Sequence, residues 1–412
     1  MNSAKSRLHY GWVILAMGTL VVFGALGLAR FGYSIVLPSM QAGLHFSTTE
    51  AGFLATLNLI GYLALSLIGG ALASRFGPRV VITAGLLVAG AGMLLTGLAG
   101  SYAQAAVWRV VTGMGSGASN VPVMGLVAGW FAQRRRGTAT GIAVTGSSLA
   151  LISTGPLVPQ VLNAFGENGW RVSWFIFSGV TFLLAMLGYM LLRNRPSDLG
   201  LTPLGAAGEE TSEVVASAKI PWGSVYRSWV VWHLGLVYVA FGFSYIIYMT
   251  FFVKSLISDG GYTQAEAGGL FMTMGWFSLG CGLLWGTVSD VVGRKWALVM
   301  VYLLHTVAFS MFALWPSPIG FTISAILFGL SAWSIPAIMA AASGDILGPR
   351  LAPAGLGFIT LFFGAGQALG PSVGGAVADA AGSLLPAQLL AGGVALLGAV
   401  GAALLPHSNL RK

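Results

Sequence analysis

The chain has 412 residues, 56 % of them hydrophobic and 8 % charged, with one cysteine and a formal net charge of +9. That much apolar sequence exceeds what a soluble core uses, so an assembly of two or three soluble domains is excluded, and a lone thiol excludes an internal disulfide. The basic excess invites a nucleic-acid partner, but the placement of the charges along the chain removes that reading.

Apolar runs of roughly 20 residues recur, each long enough to cross a bilayer of about 30 Å. They predict an all-α membrane protein with twelve transmembrane helices, at about 11–39, 51–74, 79–99, 102–129, 137–163, 171–192, 229–257, 264–289, 295–315, 318–345, 353–378 and 385–406. The first run is too long for a cleavable leader. Sixty glycines fit the same picture, since small residues let membrane helices approach closely. Residues 1–192 form one expected bundle of six helices, 193–228 a polar cytoplasmic linker, and 229–412 a second bundle. The linker carries Asp198, Glu209, Glu210 and Glu213 among Ser, Gly, Pro and Ala, a composition that suits a flexible connection.

Charge fixes the expected orientation. Lys5, Arg7, Arg75, Arg79, Arg134, Arg135, Arg136, Arg193, Arg195, Lys219, Arg227, Arg294, Lys295, Arg350, Arg411 and Lys412 all fall on connections of one side, whereas the other side keeps Arg171 and Lys254. By the positive-inside rule both termini are cytoplasmic, in a multi-pass protein of the bacterial inner (plasma) membrane. The basic residues then meet lipid headgroups, and no nucleic acid is needed to explain them.

The chain also repeats itself. Phe46-Ser-Thr-Thr-Glu-Ala-Gly52 returns as Tyr262-Thr-Gln-Ala-Glu-Ala-Gly268, and Gly70-Ala-Leu-Ala-Ser-Arg-Phe-Gly77-Pro-Arg79 returns at the same offset as Gly286-Thr-Val-Ser-Asp-Val-Val-Gly293-Arg-Lys295. Ser47-x-x-Glu50 and Thr263-x-x-Glu266 are capping boxes for the second and eighth spans. Asn120-Val-Pro122 echoes Ser334-Ile-Pro336, and Gly155-Pro156 echoes Gly370-Pro371, the latter pair offering equivalent bend points. Two similar apolar halves suggest a transporter with its site between them.

With these residues in place, the chain resembles the major facilitator superfamily over essentially its whole length. Gly286-x-x-Ser-Asp290-x-x-Gly293-Arg294-Lys295 resembles the family's loop motif, and Arg109-x-x-x-Gly113-x-x-x-Gly117 its fourth-span motif. The resemblance implies two pseudo-symmetric six-helix bundles in which spans one, four, seven and ten line a central cavity open to alternate sides. It also implies coupling or gating roles for Arg109, Asp290 and Arg294. The first-half loop has Ser74 where the family motif has Asp, so a charge lock is expected only in the second half. More narrowly, His9-Tyr-Gly-Trp12, Trp130-Phe131 with Arg134-Arg-Arg136-Gly137, Gly169-Trp-Arg171 and Pro196-Ser-Asp-Leu-Gly-Leu-Thr-Pro203 are similar to the monocarboxylate porters and oxalate–formate exchangers. The cationic residues those carriers have in spans eight and eleven are absent, and Leu28-Ala-Arg30-Phe-Gly-Tyr33 through Pro38 resembles an uncharacterised bacterial branch instead.

Charges within the apolar runs point to the site. Arg30 and Arg109 lie deep, with His233 and His305 as further polar groups, while the carboxylates fall in loops or near span ends. A cavity with cations and no acidic partner favours an anionic substrate. A lone mid-helix arginine costs about 2.5–3.5 kcal/mol on insertion scales, and guanidinium can hold a carboxylate by two parallel hydrogen bonds. Arg30 is therefore the expected anchor, with Tyr33 one turn on, and Asn120, Tyr245, Tyr248, Trp333 and Gln367 complete the expected substrate site. Asn58 and Tyr62 are second-rank candidates. Arg109, followed by Gly113 and Gly117 on one helix face, reads as helix packing or coupling, and His305 as packing.

The expected function is secondary transport of small organic anions, foremost monocarboxylates, by alternating access, through proton symport or anion exchange, by a monomer that partners with lipid and with protons. A drug or metabolite efflux carrier of the same fold and a non-transporting membrane sensor are the alternatives. No Gly-x-x-x-x-Gly-Lys-Ser/Thr and no Gly-x-Ser-x-Gly occur, and the five histidines and one cysteine are scattered, so neither enzyme activity, cofactor nor metal is expected.

Overall fold

The computed structural model describes residues 9–206 and 222–406. Lys5, Arg7, Lys219, Arg411 and Lys412, with Glu209, Glu210 and Glu213 of the linker, lie outside the described residues. Helices follow the expected order: Gly11–Leu44, Thr48–Phe76, Pro78–Leu98, Tyr102–Gly129, Gln133–Phe165 and Gly169–Leu191, then Trp229–Ser258, the pair Gln264–Ser278 and Cys281–Val292, Arg294–Leu314, Pro318–Gly348, Ala354–Ala381 and Leu385–Ala403. These are called the first to twelfth spans below. Eight segments are long and apolar enough to cross a membrane, or up to ten if each bent pair is one crossing. One of the eight, Gln133–Leu191, contains both the fifth and the sixth span. The fourth span is rich in Gly, Ser and Thr and stands outside that count. The set is consistent with the twelve-helix expectation.

Local chemistry explains the helix ends. Ser47 and Thr263 each accept the N3 backbone N–H while Glu50 and Glu266 reach back to the cap N–H, so both expected capping boxes form. At the other ends Gly77 and Gly293 take φ 86° and 89°, a region costly for a residue with a Cβ, and so terminate the second and eighth spans at equivalent points. The fifth span is continuous through Pro156 and Pro159, and the eleventh through Pro371, so the expected bend points lie inside unbroken helices. The second and eighth spans bend by 41° and 43°, and a break at Gly348 (φ 72°) separates the tenth from the eleventh.

The Gly-Pro segments are where the halves touch. A Cβ on Gly52 would stand 2.0 Å from the Pro371 carbonyl oxygen, and one on Gly155 would stand 2.6 Å from that of Gly268. Backbone meets backbone here, which only glycine permits. One face of the molecule carries Arg75, Arg79, Arg134, Arg294 and Lys295 at the helix ends; it is called the basic face. At the opposite face the halves are strapped by polar bonds. Asp379 accepts N–H groups of Thr48 (3.1 Å) and Thr49 (2.6 Å) at the start of the second span, Lys254 Nζ donates to Thr48 Oγ1 (2.7 Å), and Gln264 Nε2 donates to the Ile35 carbonyl (2.8 Å). Further in, Thr56 Oγ1 donates to the Ala368 carbonyl (2.7 Å) and meets Ser372 Oγ. Beyond the level of Leu63, Ser148, Ser278 and Gly364, no hydrogen bond links the helices of the two halves among the described residues, and Gly137, Gly141, Gly282, Gly286 and Gly357 face open space. The bundles are thus closed at the opposite face and apart at the basic face.

Part of the expected linker is not free. Leu204 exchanges backbone hydrogen bonds with Trp130 (2.9 Å) and Ala132 (3.1 Å), His9 Nε2 meets the Thr202 carbonyl, and Trp130 Nε1 donates to the Arg193 carbonyl. Tyr10 and Trp12 pack their rings on Trp130 and Phe131. Of the motifs similar to the monocarboxylate porters, those at 9–12, 130–137 and 196–203 therefore converge as a clasp on the basic face, whereas Gly169-Trp-Arg171 stands at the opposite face, where Arg171 Nη1 donates to the Gly97 and Ala99 carbonyls.

Candidate functional site

The site begins with an irregularity in the first span. Phe23–Phe31 winds as a π-helix, and Arg30 lies inside it. Wider winding frees carbonyls from the regular ladder, and such segments recur at functional sites. Here the fourth span uses them: Ser116 Oγ donates to the Ala25 carbonyl and Arg109 Nη1 to that of Ala29 (2.8 Å). Arg109 and Ser116 are seven residues apart, on one helix face.

Arg109 is buried, its guanidinium 4.7 Å from the centre of the Tyr33 ring and 5.2 Å from that of Trp174. Its own carbonyl accepts from Asn58 Nδ2 (3.0 Å). Gly113 and Gly117 bring the fourth span against the second so tightly that a Cβ on Gly113 would stand 1.9 Å from the Asn58 carbonyl oxygen. This is the geometry the packing reading of Arg109 requires. Tyr33 belongs to the same structural group: its hydroxyl donates to the Ala51 carbonyl (2.8 Å).

Arg30 differs. It is 9 % exposed, its guanidinium rests 4.4 Å from the centre of the Tyr62 ring, and its Nε and Nη2 are buried without a hydrogen-bond partner. Among the described residues the ion pairs are those of Arg294, so Arg30 has no counter-charge. A network surrounds it from both halves. Asn120 Nδ2 donates to the Tyr62 hydroxyl (2.9 Å), leaving Asn120 Oδ1 unpartnered, while Gln367 Nε2 donates to the Tyr245 hydroxyl, which the Arg30 charge reaches. The chain Asn120, Tyr62, Arg30, Tyr245, Gln367 thus spans the fourth, second, first, seventh and eleventh helices. Trp333 borders it: its ring packs 5.2 Å from Phe31, and its Nε1 donates to Ser148 Oγ (3.1 Å), which also accepts from Ser278 Oγ (2.7 Å).

The structure does not bring Tyr248 to this group. Its hydroxyl meets Ser324 Oγ (2.7 Å), and its ring is enclosed by Phe252, Phe309, Phe312 and Phe328 in the interior of the second half. An aromatic on the seventh span can face either the cavity or its own bundle, and three residues of helical rotation separate Tyr245 from Tyr248. His305 is likewise interior, stacked on Phe241 and Phe309.

At the basic face Arg294 bonds Asp290 and, through Nε, Asp345 Oδ2 (3.0 Å). Asp345 comes from the tenth span, so the lock ties the loop after the eighth span to that helix. Sequence reasoning missed Asp345 because nothing in the loop motif marks a partner some fifty residues away. The first half has no counterpart: Ser74 Oγ returns to its own helix at the Gly70 carbonyl, and Arg79 instead bonds the Tyr189 carbonyl while its N–H meets Asn194 Oδ1. Also missed were Ser148 and Thr250, hydroxyls that a long apolar run contains too often to single out.

A family model described as uncharacterised MFS-type transporter YbfB matches residues 22–403. The hexuronate transporter of Bacillus subtilis (strain 168) is 25 % identical over 90 % of this chain and 88 % of its own. The probable sulfoacetate transporter SauU of Cupriavidus necator is 26 % identical over 70 % and 65 %, and monocarboxylate transporter 13 of Rattus norvegicus 24 % identical over 97 % and 89 %. Among solved structures, a bacterial homologue of the human lysosomal transporter Spinster, in an inward-facing and occupied conformation, shares the fold with a TM-score of 0.77 at 17 % identity, covering 99 % of both chains. The D-xylose–proton symporter does so with 0.75 at 14 %, covering 96 % of this chain and 98 % of its own. Twelve helices in two similar halves, a polar group between them and these relatives together show that the chain is a transporter, not an enzyme, and belongs to the major facilitator superfamily.

Proposed function

We propose that the protein carries small organic anions, foremost monocarboxylates, across the bacterial inner membrane by alternating access, with its basic face and both termini cytoplasmic. Arg30 carries the reading: a cation at mid-depth, between the halves, with no carboxylate of the protein beside it. The hydroxyls of Tyr62 and Tyr245 and the amides of Asn120 and Gln367 ring the anion. Trp333 contributes an apolar wall. Arg109 and Tyr33 act behind them, holding the π-helical segment in shape, and the Arg294 lock with Asp290 and Asp345 acts as a gate on the cytoplasmic side. Relatives named for hexuronate, sulfoacetate and monocarboxylates support an organic anion without choosing among them.

In this orientation the structure is the inward-open state. The protein acts as a monomer that exchanges one anion for another, since among the described residues no carboxylate stands with Arg30 to carry a proton. Proteoliposomes loaded with one carboxylate and presented with a labelled second one test this. Uptake that requires an internal carboxylate and ignores a proton gradient supports exchange. Uptake into empty vesicles driven by an inward proton gradient replaces exchange with symport. Absence of carboxylate uptake under both conditions, with export of apolar compounds from whole cells, contradicts the proposal in favour of efflux.

A further inference from the structure

Arg30 has two sides. Tyr62, Asn120, Tyr245 and Gln367 meet it toward the basic face. One to two helical turns toward the opposite face, a small cavity is lined by Arg30, Arg109, Ser34 and Asn58 of the first half and by Met249 and Thr250 of the seventh span. Its volume is about 10 Å³, roughly the room one water-sized body needs. Three N–H groups on two of its walls lack partners: Nε and Nη2 of Arg30 and Nε of Arg109. Both arginines are more than nine-tenths buried.

Two guanidinium groups on one small cavity repel each other, and the buried surroundings screen them less than bulk water would. A buried N–H left unmade carries a desolvation penalty of roughly 1–3 kcal/mol, more when the group is charged. A water molecule would satisfy some donors but leave both charges uncompensated. A carboxylate brings its organic group with it and needs more room than an anion of one atom. A monatomic anion supplies the missing charge and accepts from several donors in the least space.

We propose that this cavity is a halide site, shared by Arg30 and Arg109 and closed by Met249 and Thr250 when the opposite face is shut. It shares Arg30 with the carboxylate reading but does not rest on it. Because the walls come from both halves, a bound halide also favours the closed opposite face.

The test is binding of radiolabelled chloride to the purified full chain in detergent, in carboxylate-free buffer at constant ionic strength. Wild-type protein is expected to bind about one chloride per chain saturably. Thr250→Leu, which fills the cavity without touching either charge, and Arg109→Gln are each expected to weaken binding at least tenfold. Should Arg109→Gln fail to fold, Thr250→Leu decides alone. Absence of saturable binding in the wild type means that water fills the cavity and overturns the proposal, as does binding unchanged in the folded variants. Chloride binding kept while carboxylate uptake is absent would remove only the carboxylate reading; the reverse would remove only this one.

Discussion

Arg30 and Arg109 are both deep arginines of the first half, yet their surroundings give them different work. Arg109 donates to a carbonyl that the π-helix has freed and lies against two aromatic rings. Arg30 has one ring beneath it and unspent donors. A hydrogen bond to a charged group contributes about 1.5–3 kcal/mol, so loss of the anchor is expected to weaken carboxylate affinity by roughly 10- to 100-fold. Tyr62 separates two contributions. Tyr62→Phe keeps the ring under Arg30 and loses only the hydroxyl, with its Asn120 bond and its contact to the anion, so transport is expected to fall by a few fold. Tyr62→Ala also removes the cation–π contact, worth about 0.5–2 kcal/mol, and is expected to cost about tenfold more. Initial rates of carboxylate uptake for the two variants check the order; equal losses would show that the ring does not hold Arg30.

Among the elements, the second and eighth spans are each bent, by 41° and 43°, in the halves that end at the basic face. The Gly-Pro pairs were legible as something special, but only the folded chain shows that these segments provide the close crossings between the halves. Gly52→Leu drives a side chain into the Pro371 carbonyl and is expected to force the opposite face open. A cysteine placed at Thr56, in a background where Cys281 is serine, should then label with a membrane-impermeant maleimide several-fold faster than with Gly52 intact. Unchanged labelling would show that the crossing tolerates the bulk. Asp345→Asn removes one of the two carboxylate charges that pair with Arg294. Because the pair is partly exposed, the expected loss is under about 1 kcal/mol, a fall of a few degrees or less in the melting temperature. A larger fall would mean that the lock holds more than its own loop.

For the whole molecule, the order of the helices, the repeat and both capping boxes could be read from hydropathy and spacing, because those depend on local chemistry and on bilayer thickness. Arg30 could be read because a deep charge is conspicuous in an apolar run. Helix rotation could not. Tyr245 and Tyr248 are equivalent in the sequence, and only packing shows that one faces Arg30 while the other is enclosed by phenylalanines. The strap at the opposite face was equally hidden, since Asp379 lies more than three hundred residues from Thr48 and Thr49. Its carboxylate at a helix start is favoured both by the free N–H groups and by the helix dipole. Asp379→Ala is expected to raise labelling of the Thr56 cysteine reporter as Gly52→Leu does, and labelling that stays at the wild-type level would assign the closure to the glycine crossings alone.

The central claim is that an anion from outside completes the charge of Arg30. Titration calorimetry of purified wild type and Arg30→Gln against a panel of small monocarboxylates tests it most directly. The account predicts saturable binding of at least one acid by the wild type and a 10- to 100-fold weaker affinity in the folded variant. Equal affinity in the two proteins would contradict it and place the anion elsewhere in the cavity.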